Sequence, residues 1–580
     1  MAFLGVDTSL TGRKWLGPSL TVERAAEQIV QETDLPRALA QVLARRDVAP
    51  HEAARFLSPQ LRDLMPDPRS LKDMERASAR IVAALTARER VAIFADYDVD
   101  GATSATLLLD WFRAMGHDAT LYVPARIDEG YGPNAPAMQM LARDHSLIIC
   151  VDCGTLSHDA LAAAQDTDIL VLDHHLGGET LPPALAVVNP NRQDETGDLA
   201  HLCAAAVVFL TLVDAGRVLR EAGRTGPDLL SMLDLVALGT VADVAPLIGV
   251  NRAFVVQGLK IMARRARLGL VALSDVGRLD TAPKAYHLGF VLGPRINAGG
   301  RIGQADLGAR LLSCQDPHEA GALAEKLDQL NSERRAIEEE VRAAALAQAE
   351  DRGFDAPLVW AAGEGWHAGV VGIVASRLKE ATGRPSVVIG FDADQGKGSG
   401  RSVTGIDLGA AIQRLARDGL IEKGGGHKMA AGLSLSRDQL EPAMARLSEL
   451  LDKQGAGALG PSDLKLDGAL MPGAASQQLV EQLEDAGPYG ASAAGPRFAF
   501  PDCVIHFAKQ IGSGHLKLTF SDGTGPRLEA IAFGAFDTPL GPALQNHGGA
   551  RFHLAGRLEL NTWQGRTSVQ LRLDDAAAAH

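Results

Sequence analysis

Continuous apolar runs alternate with helical stretches through the middle of the chain. Residues 90–95 (RVAIFA), 147–151 (LIICV) and 169–172 (ILVL) have the length and composition of buried strands. The first two runs are each followed by a helix candidate, at residues 102–115 and 157–164. Because strands that alternate with helices usually pair in parallel, this pattern predicts an α/β domain with a mostly parallel sheet.

The pattern also divides the rest of the chain. A helical lead-in precedes the α/β domain, and residues 317–350 contain few helix breakers, which predicts one long connecting helix. Beyond it, short apolar runs predict a second α/β domain. The last strand candidates are separated by turn signals and predict a small β-barrel. We therefore expect domains at residues 1–85, 86–315, 316–350 (the connecting helix), 351–455 and 456–580.

Composition limits the classes of protein to which the chain can belong. With 580 residues it is too long for a single hydrophobic core. No apolar stretch of about 18 residues is free of charge, so no membrane span is predicted. The five cysteines are odd in number and scattered, which argues against a disulfide scaffold. We expect a protein of the reducing cytoplasm.

The net charge of −14 argues at first against a nucleic-acid partner, but the charge is unevenly distributed. Residues 260–301 hold eight Lys or Arg against two Asp, and residues 395–430 hold six Lys or Arg against three acidic residues. Two basic islands in an acidic protein are compatible with a groove that follows a phosphate backbone, although a solvated surface would explain the same charges.

The segment ADYDVDGATS (95–104) is the strongest local signal of chemistry. Asp96, Asp98 and Asp100 alternate with apolar or aromatic residues, so an extended backbone would place the three carboxylates on one side. Like charges this close repel each other unless a cation lies among them. Gly101 is expected to allow a sharp turn into the next helix.

Acidic and imidazole groups also follow the other predicted strands. Asp152 ends the second apolar run, and Asp173, His174 and His175 end the third. Asp243 follows an apolar helix candidate and offers a further carboxylate. Because open parallel sheets bind ligands at the carboxyl ends of their strands, we expect these groups to converge. Carboxylates with imidazole are ligands for Mn²⁺ or Mg²⁺ rather than for structural zinc.

These segments together resemble known motifs. Four of them are similar to the metal-site motifs of the DHH phosphoesterase superfamily: DYDVDGATS (96–104), VDCG (151–154), DHH (173–175) and VADVAPL (241–247). Four more resemble the RecJ branch of that superfamily, with its accessory DHHA1-type domain: PRINAGGR (294–301), EGWHAGVVGIVASRL (364–378), GSGRS (398–402) and GGGHKMAAG (424–432). The C-terminal segment resembles the OB-type domain of the same branch.

The resemblance implies roles for the metal-site residues. Asp96 and Asp98 would bind one divalent ion, Mn²⁺ or Mg²⁺, and Asp152 would bridge both ions. The second ion would be bound by Asp100, His174 and Asp243. His175 would face the scissile phosphate instead of binding metal. Two ions about 3.5–4 Å apart suit hydrolysis of a phosphodiester by an activated water.

The implied activity is that of a single-stranded-DNA-specific 5′→3′ exonuclease that releases 5′ mononucleotides in DNA recombination and repair. The family also implies a helicase and a single-strand-binding protein as partners, and a self-contained groove makes a monomer the expected state. A narrow groove between the two α/β domains would admit one strand and exclude a duplex.

Candidate substrate-binding residues lie in both α/β domains. The glycine-rich segments 398–402 and 424–427 are expected to be turns that expose backbone N–H groups to phosphate. The candidates are Ser399, Arg401, Gly425, Gly426 and His427 in the second domain, and Arg126, Arg295 and Arg301 in the first. In the OB-type domain, Phe498, Phe500, Phe507 and Trp563 are expected in the core rather than as stacking platforms.

Two other functions agree with part of these observations. The same metal site could serve a phosphodiesterase of short oligonucleotides or cyclic dinucleotides, although such enzymes usually lack the lead-in and the C-terminal barrel. A non-catalytic replication scaffold would have a decayed metal site, whereas all the carboxylates and both histidines are present here.

Overall fold

The structure, a computed structural model, describes residues 2–125, 129–130, 132–164, 166–458, 463–563 and 565–579. Contacts divide the chain into two units. The sheet unit comprises residues 66–245 and 254–460, and the barrel unit comprises residues 1–65, 246–253 and 461–580. Within the described residues, no helix has the length and apolar character needed to cross a membrane.

The helices are α1 (Leu20–Thr33), α2 (Arg37–Ala44), α3 (Ala53–Leu57), α4 (Leu61–Leu64), α5 (Met74–Ala87), α6 (Val99–Ala114), α7 (Ala135–Asp144), α8 (His158–Ala162), α9 (Ala204–Glu221), α10 (Leu233–Ala242), α11 (Gly249–Met262), α12 (Leu268–Val276), α13 (Ala285–His287), α14 (Gly293–Ile302), α15 (Leu307–Ser313), α16 (Pro317–Arg352), α17 (Ala368–Thr382), α18 (Leu408–Arg417), α19 (Leu440–Asp452), α20 (Gln477–Asp485) and α21 (Leu540–Gln545).

The strands are β1 (Trp15–Leu16), β2 (Val91–Ala95), β3 (Thr120–Tyr122), β4 (Leu147–Val151), β5 (Asp168–Leu172), β6 (Ala186–Val188), β7 (Val359–Glu364), β8 (Ser386–Asp392), β9 (Gln395–Arg401), β10 (Lys423–Gly426), β11 (Ala430–Ser436), β12 (Leu464–Lys465), β13 (Gly468–Ala469), β14 (Phe498–Ile511), β15 (His515–Ser521), β16 (Leu528–Ala532), β17 (Arg551–Trp563) and β18 (Arg566–Ala578).

The first sheet of the sheet unit is fully parallel, in the order β3-β2-β4-β5-β6. Strands β2 and β4 are buried along their whole length, which explains why they read as continuous apolar runs. Ala95 pairs with Val151, and Val151 pairs with Leu172. The chain therefore leaves β2, β4 and β5 at the same level of the sheet.

Helix α16 connects this sheet to the second one. Its first half buries Leu323, Leu327 and Leu330 and packs on α12, α14 and α15. Its second half buries Val341 and Ala345 against α17 and β7. Because one unbroken helix contributes to both cores, the predicted connecting helix is confirmed.

The second sheet of the sheet unit has the order β10-β11-β9-β8-β7, and only β7 and β8 pair in parallel. Its core contains the apolar faces of α18 and α19. The glycine-rich strand β9 occupies the centre of this sheet, with β8 on one side and β11 on the other.

The barrel unit contains the C-terminal strands. They pair in the order β13-β14-β15-β16-β18-β17, and an additional pairing of β14 with β17 joins the ends of the five long strands. Phe498 and Phe500 are fully buried, as predicted, whereas Phe507 is 49% exposed, so its predicted place in the core is wrong. The side chain of Trp563 lies outside the described residues.

The two parts of the helical lead-in pack in different units. Strand β1 pairs in parallel with β12, and Trp15 donates a 2.9 Å hydrogen bond from Nε1 to the buried carboxylate of Asp575. Helices α1 and α2 contribute Ile29 and Leu39 to the core of the barrel unit. The last part of the lead-in, helix α5, instead packs in the sheet unit, against α9 and β6. The proposed boundary at residue 85 stays a prediction, but these contacts divide the lead-in near residue 65.

Candidate metal centre and substrate face

The common edge of three parallel strands places acidic groups side by side. Asp96 follows β2, Asp152 follows β4 and Asp173 follows β5, and all three are buried. Because the last residues of the three strands are in register, these aspartates emerge from the sheet together. His174 and His175 continue from the third strand. The predicted convergence at the carboxyl edge is present.

Helix α6 begins at Val99, so the predicted extended backbone through Asp96, Asp98 and Asp100 is wrong from that residue on. Asp98 is the N-cap of α6, and its Oδ1 accepts hydrogen bonds from the backbone N–H groups of Asp100 (2.9 Å) and Gly101 (3.2 Å). Asp100 lies in the first turn of the helix. An aspartate satisfies the unpaired N–H groups at a helix start, which favours the helix over the extended chain.

Gly101 serves close packing rather than a turn. It lies inside α6, and a Cβ at this position would be 2.3 Å from the carbonyl oxygen of Asp96. No side chain fits such an approach to the backbone. The expectation of a sharp turn at Gly101 is therefore wrong, and the residue instead lets the helix start pack directly on the end of β2.

One group of donor atoms comes from the first two strands. Carboxylate oxygens of Asp96, Asp98 and Asp152 lie within 4.8 Å of one another. Asp152 has a φ of +60°, a left-handed conformation that is uncommon for residues other than glycine. Its backbone N–H donates to the carbonyl oxygen of Leu172 at 3.0 Å. The neighbouring strand therefore holds Asp152 in an unusual conformation.

A second group combines the start of α6, the loop after β5 and the end of α10. Donor atoms of Asp100, His174 and Asp243 also lie within 4.8 Å of one another. Nε2 of His174 is 3.3 Å from Asp152 and 3.7 Å from Asp100, and its Nδ1 is 3.7 Å from Asp243. Asp243 directly follows α10, as predicted. Donor atoms of Asp152, His174 and His175 form a third such group, so Asp152 and His174 bring the other two groups next to each other.

The start of α9 fixes Asp100. Its two carboxylate oxygens accept hydrogen bonds from the backbone N–H groups of Ala204 (2.6 Å) and Ala205 (2.9 Å). A Cβ on Gly239 would be 2.8 Å from Asp100 Oδ1, so glycine on α10 makes room for the carboxylate. Asp100 is thus oriented by one helix and accommodated by another.

The carboxylates crowd a buried, acidic space. Burial raises the pKa of Asp152 well above its usual range, and the neighbouring carboxylates raise it further. Burial and the charges of Asp100 and Asp98 raise the pKa of Asp243 to about 9. Burial likewise raises the pKa of Asp100. A divalent cation would offset this repulsion, and the carboxylate–imidazole donor set suits Mn²⁺ or Mg²⁺.

The predicted phosphate-binding segment 398–402 forms a strand, not a turn. Its first four residues complete β9, whose backbone pairs on both sides, so its N–H groups are not turned towards a ligand. In β9 (QGKGSGR) glycines alternate with polar residues. A Cβ on Gly398 would be 2.8 Å from Ile389, and one on Gly400 would be 2.7 Å from Leu408. The glycines allow close packing on one face of the sheet.

The polar residues of β9 share the opposite face. Nη1 of Arg401 donates to Oγ of Ser399 at 2.9 Å, and a Cβ on Gly372 of α17 would be 3.0 Å from that Oγ. Ser399 and Arg401 therefore form a polar surface beside α17, which agrees with a role in binding phosphate through side chains. Their role stays a prediction.

Gly425 and Gly426 lie on β10, the edge strand of this sheet. His427 follows in an exposed turn, where its N–H donates to the carbonyl oxygen of Ala430 at 2.7 Å. A Cβ on Gly426, whose φ is +147°, would be 2.4 Å from that same oxygen. The turn predicted for this segment thus follows Gly426, and both glycines belong to the strand.

The candidate arginines of the first α/β domain are engaged within the protein. Arg295 donates from Nε to Asp328 at 2.9 Å, and Arg301 donates from Nη1 to the carbonyl oxygen of Gly369, in the first turn of α17, at 3.0 Å. Arg267, in the same basic island, pairs with Asp234 and Asp110. The charges of Arg267 and Arg295 are therefore compensated by acidic side chains. Arg126 lies outside the described residues.

The chain also matches known proteins along its length. Residues 90–240 match the DHH family, N-terminal domain, residues 355–453 the DHHA1 domain and residues 466–575 the RecJ OB domain. It is 37% identical to the single-stranded-DNA-specific exonuclease RecJ of Salmonella typhimurium, over 93% of this chain and 96% of that protein. The identity with RecJ of Dickeya dadantii is 39%, over 94% of this chain and 97% of that protein.

The chain belongs to the RecJ family. Its fold is similar to the crystal structure of RecJ from Thermus thermophilus in complex with Mn²⁺, with a TM-score of 0.81 and 29% sequence identity, over 97% of this chain and 79% of that one. The complex of the same protein with Mg²⁺ gives a TM-score of 0.75. The predicted fold class, of a parallel-sheet DHH domain, a connecting helix, a DHHA1-type domain and an OB-type domain, is confirmed.

Sequence reasoning missed the function of Asp173 in this RecJ-family site. Its Oδ1 accepts hydrogen bonds from Nδ1 of His175 (2.8 Å) and from the backbone N–H groups of His174 and His175, and its Oδ2 accepts one from Thr155. Burial opposes the charge on His175, but Asp173 outweighs it and raises the pKa of His175 to about 9. Asp173 is a positioning residue, and its place in the DHH motif was the available signal.

Two asparagines support the same loop. Nδ2 of Asn189 donates to the carbonyl oxygen of His175, and Nδ2 of Asn191 donates to that of His174. Asn189 directly follows β6, at the same edge of the sheet as the aspartates. The sequence offered no signal for these amides beyond their position after an apolar run.

We expect Mn²⁺ to displace protons when it binds. At pH 7 a carboxyl group with a pKa of about 9, such as Asp243, is protonated without metal, and it must ionise to bind a cation. Binding should therefore release about one proton or more per chain near pH 7, and affinity should rise as the pH rises towards about 9. Calorimetric titration in buffers of different ionisation enthalpy measures the release.

The matched control for this titration is Asp243→Asn, which should release about one proton fewer at pH 7. A binding heat that does not depend on the buffer would contradict the account, because it would mean that the carboxylates are already ionised in the absence of metal.

Proposed function

We propose that this chain digests single-stranded DNA from the 5′ end and releases 5′ mononucleotides, in DNA recombination and repair. The observation that carries the proposal is the two adjacent donor groups at the edge of the DHH sheet, in a chain that matches RecJ over nearly all of its length. We propose that residues 86–315 carry out the chemistry and that residues 351–455 and 456–580 bind the strand.

The donor groups fit a pair of divalent ions. When bound, such a pair supplies an activated water at neutral pH and offsets negative charge on the phosphate oxygens. Asp96, Asp98 and Asp152 would hold one ion. Asp152 would also contact the second ion, whose remaining ligands would be Asp100, His174 and Asp243.

His175 would contribute a hydrogen-bond donor. Asp173 fixes Nδ1 of its ring, and Nε2 would be the nitrogen that contacts a substrate. Asp173 raises the pKa of His175 to about 9, so the ring carries a proton near neutral pH before metal binds. A protonated imidazole in this position would donate to an oxygen of the scissile phosphate and stabilise the charge that develops there.

The DHHA1-type domain would hold the strand by its phosphates. Ser399 and Arg401 present a hydroxyl and a guanidinium on one face of β9, and His427 stands in the turn after β10. An arginine with a neighbouring hydroxyl suits phosphate, which accepts charge-assisted hydrogen bonds. Contacts to phosphates alone carry no sequence information, so digestion is independent of base sequence.

The partners follow from the substrate. Duplex DNA has to be unwound before a single strand can be digested. We therefore propose that a helicase supplies the single strand and that a single-strand-binding protein coats it. The sheet unit holds every described candidate metal ligand, which supports a monomer as the working form. The site of action is the cytoplasm, where bacterial DNA lies.

Digestion of a single-stranded oligonucleotide with a labelled 5′ end distinguishes the proposed exonuclease from a phosphodiesterase that acts on short substrates. With Mn²⁺ the chain should release labelled mononucleotide from the free strand and not from the same strand in a blunt duplex. Asp152→Asn, which keeps the size of the side chain, should lower the rate by a factor of about 10³ or more, since it removes a charge of the first donor group that also lies 3.3 Å from His174 of the second.

A blocked 5′ end serves as the control for direction and should stop digestion. An untouched long strand, together with rapid cleavage of dinucleotides or cyclic dinucleotides, would refute the exonuclease. Binding of DNA with no hydrolysis of any of these substrates would support a scaffold instead.

The arginines of the two domains should differ in their effect on digestion. Arg401→Ala should raise KM for a single-stranded oligonucleotide about tenfold with little change in kcat, because a charge-assisted hydrogen bond to phosphate is lost. Arg295→Ala should instead lower the thermal midpoint and leave KM nearly unchanged, because Arg295 pairs with Asp328 of α16. Equal effects of the two variants on KM would contradict the assignment of Arg401.

A further inference from the structure

A segment without an assigned function packs beside the metal centre. It runs through α13, a π-helical turn (Leu288–Leu292) and the start of α14. A Cβ on Gly289 would be 3.4 Å from Val241, and one on Gly293 would be 3.4 Å from Ala242. Val241 and Ala242 are the last residues of α10, directly before Asp243. The segment therefore packs on the helix end that positions a candidate metal ligand.

Two aromatic rings project from this segment into solvent. Tyr286 and Phe290 stack with their ring centroids 5.0 Å apart and their planes at 22°. Their exposed fractions are 60% and 65%. Aromatic residues form only 4% of the chain, and several of them, such as Trp15, Trp111 and Phe94, are fully buried. A stacked pair left in water is therefore not explained by a surplus of aromatic residues or by packing of the core.

Two exposed cationic residues, Arg278 and Lys284, precede the pair in the chain. They belong to the basic island of residues 260–301, in which Arg267 and Arg295 are instead largely buried in ion pairs. Exposed rings beside cations are the combination that binds single-stranded nucleic acid, because bases stack on the rings and phosphates attract the cations.

We propose that Tyr286 and Phe290 form a stacking platform for bases of the DNA strand that is being digested. The inference rests on the proposed function and extends it to a base-contacting site. A base would stack on the outer face of the ring pair and continue its stack. The bases of a duplex are stacked on each other and paired, so the platform takes a single strand only and contributes to strand specificity.

Binding to an abasic strand tests the platform. Affinity is measured by fluorescence anisotropy in the presence of EDTA, so that no strand is cut, for an oligonucleotide and for a strand of equal length that lacks its bases. The natural chain should bind the base-bearing strand about tenfold more tightly. Tyr286→Ala/Phe290→Ala should bind the two strands alike, at the level of the abasic strand.

Two further variants separate stacking from other causes. Tyr286→Trp/Phe290→Trp keeps flat rings and should keep the preference, whereas Tyr286→Leu/Phe290→Leu keeps apolar surface without rings and should lose it. Phe354→Ala removes a 38% exposed phenylalanine elsewhere and serves as the matched control, which should keep the preference. A preference that persists in the alanine or leucine variant, or one that is absent from the natural chain, would overturn the proposal.

The design also separates this inference from the proposed function. Digestion of the oligonucleotide with Mn²⁺ is measured in parallel with binding. A natural chain that digests the strand but binds both strands alike would refute the platform alone. A chain that shows the predicted binding but digests no strand would refute the exonuclease and leave the platform standing.

Discussion

The paired register of three parallel strands is the constraint on which the candidate site depends. Ala95, Val151 and Leu172 lie side by side at the ends of β2, β4 and β5, so the residues that follow leave the sheet together, and each of them is an aspartate. Burial at this edge removes the water that would otherwise separate like charges. The carboxylates therefore share the space with little penalty only when cations lie among them.

Close packing around this edge completes the two donor groups. Gly101 lets the start of α6 approach the end of β2, and Gly239 lets α10 approach Asp100. The start of α9 then fixes Asp100 through two N–H groups. The same helix α10 ends directly before Asp243. Small residues in the helices and aspartates after the strands thus act together, and neither would form the site alone.

Much of this arrangement could be predicted from the sequence, because it depends on local patterns. Apolar runs in the sequence indicated β2, β4 and β5, and the acidic residues after these runs indicated the edge of the sheet at which the candidate site lies. Interactions between side chain and backbone were harder to foresee, since capping by Asp98 turns Asp100 into a helical residue. Strand β9 was missed because its glycines suggest a turn, while their alternation with polar residues fits a tightly packed strand. The pairing of β1 with β12 joins residues that are far apart in sequence, so no local pattern predicts this pairing.

The most direct test of the account is the position of metal in crystals grown with Mn²⁺, located by anomalous scattering at the manganese edge. We expect two peaks: one among Asp96, Asp98 and Asp152, and one among Asp100, His174 and Asp243. We also expect Asp173 to contact His175 and neither ion. A single peak, or a peak bound by Asp173 or His175, would be the contradictory result, because the donor atoms would then not be divided between two ions in these two groups.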